Sequence, residues 1–339
     1  MNFCSDNISG VHPRILEALI AGNGGDVMPY GADPYTQRAE ARLCAVFERD
    51  HAVAMVPTGT AANALALSIL ASPISAIFCR SGAHLQDNEA GASLMYTGGA
   101  RLVSIDGRNG LIDPGDLDRA LAGFDPGRTL SQPAAVSVTQ ASEFGTVYSL
   151  QHLRDIADVC RRHGVRLHMD GARFANALAH LGCQPAEMSW RAGVDVLSFG
   201  ATKNGAMAAD AVLVFDPALA AGLRMRQKRG GLILSKHRFL SIQLDAYLTD
   251  GLWLELARAA NARAAELAGG LARCGHAEIL HPVEANEVFV RLPESTLASL
   301  EAKGFQFYRR GGGMIRLVTA CTTSPGDVAS FVAAVAEST

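Results

Sequence analysis

Short apolar runs alternate with longer stretches of helical period through the first two thirds of the chain. Ala52-Val53-Ala54-Met55-Val56 predicts a strand, with a helix from about Thr60 to Leu70 after it. Ala76-Ile77-Phe78-Cys79 and Ala134-Ala135-Val136-Ser137-Val138 predict two more strands. Leu150 to His163 is amphipathic with the helical period, and Val165 to Met169 follows it as a strand. Val194 to Ser198 and Ala211 to Phe215 repeat the pattern. Strands that are apolar on both faces and separated by helices predict a sheet dominated by parallel pairs. After about residue 240 the pattern changes. A long Ala-rich helix is expected through Trp253 to Ala272, then a strand at Glu287 to Leu292, a helix near Leu297 to Lys303, a strand at Met314 to Val318, and a last helix from Pro325 to Ala336. That is the pattern of a smaller α+β lobe. The expected division is 15–245 for the large lobe, and 1–14 with 246–339 for the small one.

Composition narrows the class. Of 339 residues, 49% are hydrophobic and 19% charged, a globular balance with enough chain for more than one lobe. The formal charge of -3 and the lack of a basic block argue against nucleic acid or an anionic membrane as partner. The seven cysteines are scattered and form no C-x-x-C, so neither a disulfide framework nor a structural metal site is expected. The start, Met1-Asn2-Phe3-Cys4-Ser5-Asp6, lacks the basic and apolar regions of a signal peptide. The apolar stretches are too short to span a bilayer. These features together predict a cytoplasmic protein.

Three segments carry candidate chemistry. Val56-Pro57-Thr58-Gly59-Thr60-Ala61-Ala62-Asn63 lies where a strand hands over to a helix. Gly59 permits a tight turn, and Thr60 sets a hydroxyl beside the free N–H groups of the helix start, which attract an anion. An ordinary N-cap would read the same way. No Gly-Lys-Ser/Thr follows, so this is not a P-loop. His168-Met169-Asp170-Gly171-Ala172-Arg173 closes a strand, at the end that faces the ligand crevice in open α/β sheets. Asp170 there can sit beneath a pyridine nitrogen and hold it protonated; alone, it also reads as a helix cap. His168 alternates with Asp170 and is expected to be structural. Thirty-three residues later, Lys203 follows another apolar strand among small neighbours, Ser198-Phe199-Gly200-Ala201-Thr202 before it and Asn204-Gly205 after. Burial would favour its neutral, nucleophilic amine.

A phosphate-type turn, an aspartate and a lysine in this order resemble the fold-type-I enzymes of pyridoxal 5′-phosphate (PLP), with an aspartate-aminotransferase-like fold. More narrowly, the chain resembles the low-specificity L-threonine aldolases and phenylserine aldolases of the β-eliminating-lyase branch. Ser5-Asp6-Asn7 matches the S-D-T/N entry of that family, and Tyr30-Gly31-Ala32-Asp33-Pro34 its Y-G-D-D-P. The P-T-G-T-x-A-N and H-x-D-G-A-R segments and Ile315-Arg316-Leu317-Val318-Thr319 also match.

The resemblance implies that Gly59 and Thr60 bind the cofactor phosphate, that His84 stacks on the pyridine ring, and that Lys203 carries PLP as a Schiff base. Asp170 would pair with the ring nitrogen. Arg173 would approach the phenolic oxygen or the substrate carboxylate, and Arg316 with Ser5 would bind that carboxylate. Glu89 matches a glutamate near the site. The implied reaction is cleavage of an L-β-hydroxy-α-amino acid to glycine and an aldehyde, with His84 or a water it holds as base. No metal is expected. β-Elimination, transamination or decarboxylation on the same scaffold are the alternatives, and a non-catalytic PLP-binding protein is the rival of a different class.

The chain departs from the family in places. A second active-site histidine is missing from Gly127-Arg128-Thr129-Leu130-Ser131-Gln132. The E-N-T-H-N-G segment becomes Thr139-Gln140-Ala141-Ser142-Glu143-Phe144-Gly145. The phosphate-side basic residue is Lys228, Arg229 or Lys236. The resemblance also implies a homo-oligomer, a dimer with shared sites or a tetramer, in which Tyr30 and the Arg226–Lys236 stretch reach a neighbour.

Overall fold

The structure is a computed structural model that describes residues 1–124 and 131–338. Residues 127–130, part of the stretch that lacks the second histidine, lie outside the described residues.

Seven strands form the main sheet: β1 (Ala52–Val56), β2 (Ser75–Arg80), β3 (Arg101–Ile105), β4 (Gln132–Thr139), β5 (Arg166–Gly171), β6 (Val196–Gly200) and β7 (Asp210–Val214). Their order is β1-β7-β6-β5-β4-β2-β3. All neighbours pair in parallel except β7, which is antiparallel to both β1 and β6. The link from Gly200 to Asp210 is too short for a crossover helix, so the chain turns straight back. The predicted strands are all present, with ends that move by one or two residues. β3 is an addition. Arg101 and Ser104 interrupt its apolar run and face outward at the sheet edge, which hid it from the hydrophobic pattern.

The second sheet is antiparallel, in the order β10-β11-β9-β8, from β8 (Glu278–Ile279), β9 (Glu287–Arg291), β10 (Tyr308–Gly311) and β11 (Met314–Val318). The N-terminal segment joins it: Phe3 donates its N–H to Gln306 O and accepts that of Val318, both at 2.8 Å. The Phe3 ring packs edge-on against Phe331.

Each sheet has its own core. Phe47, Phe174, Phe199, Tyr247 and Trp253 anchor the larger one. The helix Leu252–Leu271 serves both: Leu252, Trp253 and Leu256 enter the large core, and Ala264, Leu267 and Leu271 the small one. At the C-terminal ends of β5 and β6 the backbones approach closely. A Cβ on Gly200 would lie 2.8 Å from Ala172 Cα and O, so a larger residue there would push apart the two turns that carry Asp170 and Lys203.

Candidate active site

The parallel strands end on one edge, and the turns that leave it bring the predicted residues together. Asp170, next to last in β5, is buried. Its Oδ1 accepts the Ala172 N–H at 3.0 Å and its Oδ2 accepts Asn63 Nδ2 at 2.8 Å. The same Asn63 nitrogen donates to Glu89 Oε1, also at 2.8 Å. Glu89 Oε1 in turn meets His84 Nδ1 at 2.8 Å. The Glu89 side chain is wholly inaccessible, whereas that of His84 is 40% exposed. A carboxylate on Nδ1 selects the Nδ1–H tautomer and leaves Nε2 as the free basic nitrogen. Asn63 Oδ1 and Glu89 Oε2 are buried without a hydrogen-bond partner among the described residues.

Lys203 lies in a short turn, Thr202–Asn204, after β6. Buried Asp210 shapes that turn: it accepts the N–H groups of Ala201 at 2.9 Å and Thr202 at 3.3 Å, and the Thr202 hydroxyl at 3.2 Å. Asn204 pins the other side, donating to Tyr247 Oη at 2.7 Å and Trp253 O at 2.8 Å. The Lys203 amine itself makes no hydrogen bond or ion pair with a described residue. Burial first, and then the Arg173 charge, push its pKa below the usual lysine value, while Asp6, Asp170 and Glu287 pull the other way. The result favours the neutral amine that a carbonyl-binding lysine needs.

Behind the lysine runs a ladder of alternating charge. Arg173 grips buried Asp6 through Nε at 2.7 Å and Nη2 at 3.1 Å. Its Nη1 lies 3.3 Å from Glu287 Oε2, and Arg316 Nη1 lies 3.4 Å from Glu287 Oε1. Asn286 adds a 3.0 Å hydrogen bond to Asp6. Arg316 Nη2 donates to Cys4 O at 3.2 Å, and its Nε is buried without a partner among the described residues. The Arg173 fork is therefore filled by Asp6, and Arg316 is the guanidinium with a spare donor. The Ser5 hydroxyl caps the turn at Asn7 N, at 3.1 Å, beside this ladder.

At the other end of the cluster, the helix Gly59–Leu70 begins with Thr58 as its cap, whose hydroxyl accepts the Ala61 N–H at 3.1 Å. Gly59 and Thr60 thus occupy its first two positions, where N–H groups are free. A Cβ on Gly59 would meet nothing within 4 Å, so the turn faces open space. Lys228 stacks over the Tyr30 ring at 4.6 Å. No hydrogen bond or ion pair joins Lys228, Arg229 or Lys236 to this turn among the described residues.

His168 has a structural role. Its Nδ1 meets Ser137 Oγ on β4 at 2.9 Å and its Nε2 meets Ser198 Oγ on β6 at 3.0 Å, so both ring nitrogens are committed inside the sheet. Burial pushes its pKa down to about 4.

The residue reading missed Asn63, Asp6, Asp210, Glu143 and Glu287. Asn63 and Asp6 stand inside motifs already singled out. Glu143 stands in the segment that replaces E-N-T-H-N-G, and Asp210 and Glu287 become visible only through the partners that the fold gives them.

The seven-stranded sheet, with an aspartate and a lysine on adjoining strand ends, is the fold-type-I architecture of PLP enzymes. Aspartate aminotransferase of Thermus thermophilus superposes with a TM-score of 0.71 over 98% of this chain and 89% of that one, at 18% identity, and shows the fold alone. Within that class, the sequence profile of the beta-eliminating lyases matches residues 2–295, and the chain belongs to this family of lyases. It is 39% identical to a low-specificity L-threonine aldolase of a Pseudomonas species over 332 residues, covering 98% of this chain and 96% of that one. A threonine aldolase of Leishmania major superposes with a TM-score of 0.93 at 28% identity, covering 99% of this chain and 98% of that one.

Proposed function

We propose that the protein is a PLP-dependent aldolase that cleaves L-threonine, L-allo-threonine and related L-β-hydroxy-α-amino acids such as phenylserine to glycine and an aldehyde. The observation that carries this reading is the His84–Glu89–Asn63–Asp170 chain of hydrogen bonds on the sheet edge that also presents Lys203. The residues fit the cofactor. A free helix start lies at Gly59 and Thr60 for its phosphate, and a buried carboxylate at Asp170 for its ring nitrogen. Lys203, an amine without a partner among the described residues, would anchor its carbonyl, and the oxygens of Asn63 and Glu89 that find no partner among those residues mark unfilled polar space. When bound, PLP supplies the electron sink that takes the pair released as the Cα–Cβ bond breaks.

The chain's own residues do the rest. Arg316, with Ser5, holds the substrate carboxylate by its spare donor. Arg173 is positioned by Asp6 and Glu287 next to that carboxylate and to the lysine. His84 would lie against the cofactor ring, and its Nε2, directly or through a water, would accept the β-hydroxyl proton while Glu89 holds Nδ1–H. The lobes 15–245 and 1–14 with 246–339 would close the site between them.

Incubation of the purified protein with L-threonine, L-allo-threonine and L-phenylserine should release glycine and the matching aldehyde. Ammonia and a 2-oxo acid instead would move the protein to β-elimination. No turnover of any amino acid would leave a cofactor-binding protein. Lys203→Ala should abolish cleavage and the borohydride-sensitive visible absorbance of the bound cofactor.

The proposal extends to a homo-oligomer. Met28, Tyr30, Met225 and Leu234 are exposed apolar residues on segments that meet, joined by the Tyr30 N–H on Ser235 O at 3.0 Å and by Arg224 donating to Tyr30 O. A cytoplasmic setting fits the seven free cysteines. No helix among the described residues is long and apolar enough to cross a membrane.

A further inference from the structure

Glu143 stands just past β4, in the segment that departs from the family pattern. Its Oε1 accepts the backbone N–H of His84 at 2.9 Å and the Thr139 hydroxyl at 2.7 Å. His84 opens the short helix His84–Asp87, whose cap residue, Ala83, has no side-chain acceptor to offer. An N–H at a helix start needs a partner, and here it comes from a turn 59 positions away. Thr139, which shares that oxygen, is the register partner of Asp170 on β5. His84 is therefore held against Asp170 by two routes. The side-chain route runs from Nδ1 through Glu89 and Asn63 to Asp170. The main-chain route runs from the His84 N–H through Glu143 to Thr139, beside Asp170 in the sheet.

We propose that Glu143 is a positioning residue for His84, capping its helix through space and fixing the histidine relative to Asp170 so that a single histidine suffices as base. This rests on the role of His84 proposed above. Burial pushes the Glu143 carboxyl up, while the His84 N–H and the Thr139 hydroxyl pull it down. A neutral acid still accepts through its carbonyl oxygen, and both observed bonds fall on one oxygen. The function therefore requires an acceptor rather than a charge, and glutamine should supply it.

The experiment compares Glu143→Ala, Glu143→Gln, His84→Ala and the double variant His84→Ala/Glu143→Ala, in holoenzyme and in cofactor-free protein. In Glu143→Ala the L-threonine kcat should fall about 10²-fold, the scale of a misplaced catalytic group, with KM little changed. Glu143→Gln should recover most of that loss. The double variant should be no worse than His84→Ala, because both act through one ring. In cofactor-free protein the His84 ring resonance should shift in Glu143→Ala and stay in place in Glu143→Gln. Losses that multiply in the double variant, glutamine as damaging as alanine, or an unmoved His84 resonance in Glu143→Ala would each overturn the proposal. If Glu143→Ala does not fold, Glu143→Asp, one methylene too short for the bond, takes its place. A wild-type protein that releases no glycine would instead sink the aldolase reading, since the resonance test needs no reaction.

Discussion

Four charged side chains from three parts of the chain decide how the lysine is presented. Asp6 comes from the N-terminal segment, Arg173 from the turn after β5, and Glu287 and Arg316 from the second sheet. Two acids face two guanidiniums, so the ladder is neutral, and Arg316 Nε is left as the donor that the proposed function assigns to the substrate carboxylate. Burial alone would raise the Asp6 carboxyl, but the Arg173 and Lys203 charges and the hydrogen bonds from Arg173 and Asn286 hold it below its usual value. A depressed acid stabilises the fold above its unfolded pKa, and that contribution vanishes as pH falls through the folded value. Asp6→Asn should therefore cost roughly 3–5 kcal/mol at neutral pH, the scale of a broken buried ion pair, and progressively less below about pH 4. Denaturant melts of both proteins at pH 7 and pH 3 check this; an equal gap at both values would refute it. Arg316→Lys should raise KM for L-threonine, because a lysine has no N–H at the position of the free Nε that the proposed function assigns to the substrate carboxylate, while the cofactor absorbance stays unchanged.

Among the secondary-structure elements, the β4-β5-β6 strip is the platform. His168 ties its neighbours across the sheet, one alternation before Asp170 on the same strand. A histidine held neutral in the fold takes up no proton between pH 6.5 and about 4, but the unfolded chain does. Stability thus falls as pH drops across that window, by about 3 kcal/mol at most, and levels off below it. His168→Gln keeps polar contacts without the titration and should flatten the slope in melts taken across that range. The Lys203 turn depends on Asp210 in the same structural sense. Asp210 is raised by its burial and stays useful as an acceptor of three bonds. Asp210→Ala should loosen the turn and weaken cofactor retention, read as faster loss of the visible band on dialysis.

In the whole molecule, two sheets share one helix. Leu252–Leu271 enters both cores, and the first residues of the chain join the small sheet, so the smaller core draws on both ends of the chain. A Cβ on Gly145 would lie 2.9 Å from Glu287 O, which shows how tightly the Glu143 turn packs on the strand that holds the ladder. The exposed apolar surface around Met28 and Tyr30 belongs to this scale too. Light scattering should give a mass of at least two chains, and Met28→Glu with Leu234→Glu should reduce it to one. A monomeric wild type would remove the oligomer from the proposed function.

Local chemistry in the sequence was enough to place most strands and the order of the turn, the aspartate and the lysine, because apolar runs and their punctuation depend on near neighbours. It was also enough to single out Gly59, Asp170 and Lys203, whereas His84 and Arg316 stood out only through the resemblance to the aldolase family. It could not show β3, whose polar positions face outward at an edge, or the reversal of β7, which follows from a short link. Nor could it show that Arg173 is spent on Asp6, that Glu89 selects the histidine tautomer, or that Glu143 caps a helix 59 residues upstream. Those are pairings that the packed fold makes, and two of them join groups far apart in the chain: 167 positions separate Asp6 from Arg173, and 59 separate His84 from Glu143. A buried polar group takes whichever partner the packed fold brings within about 3 Å, and only the tertiary structure decides which one that is.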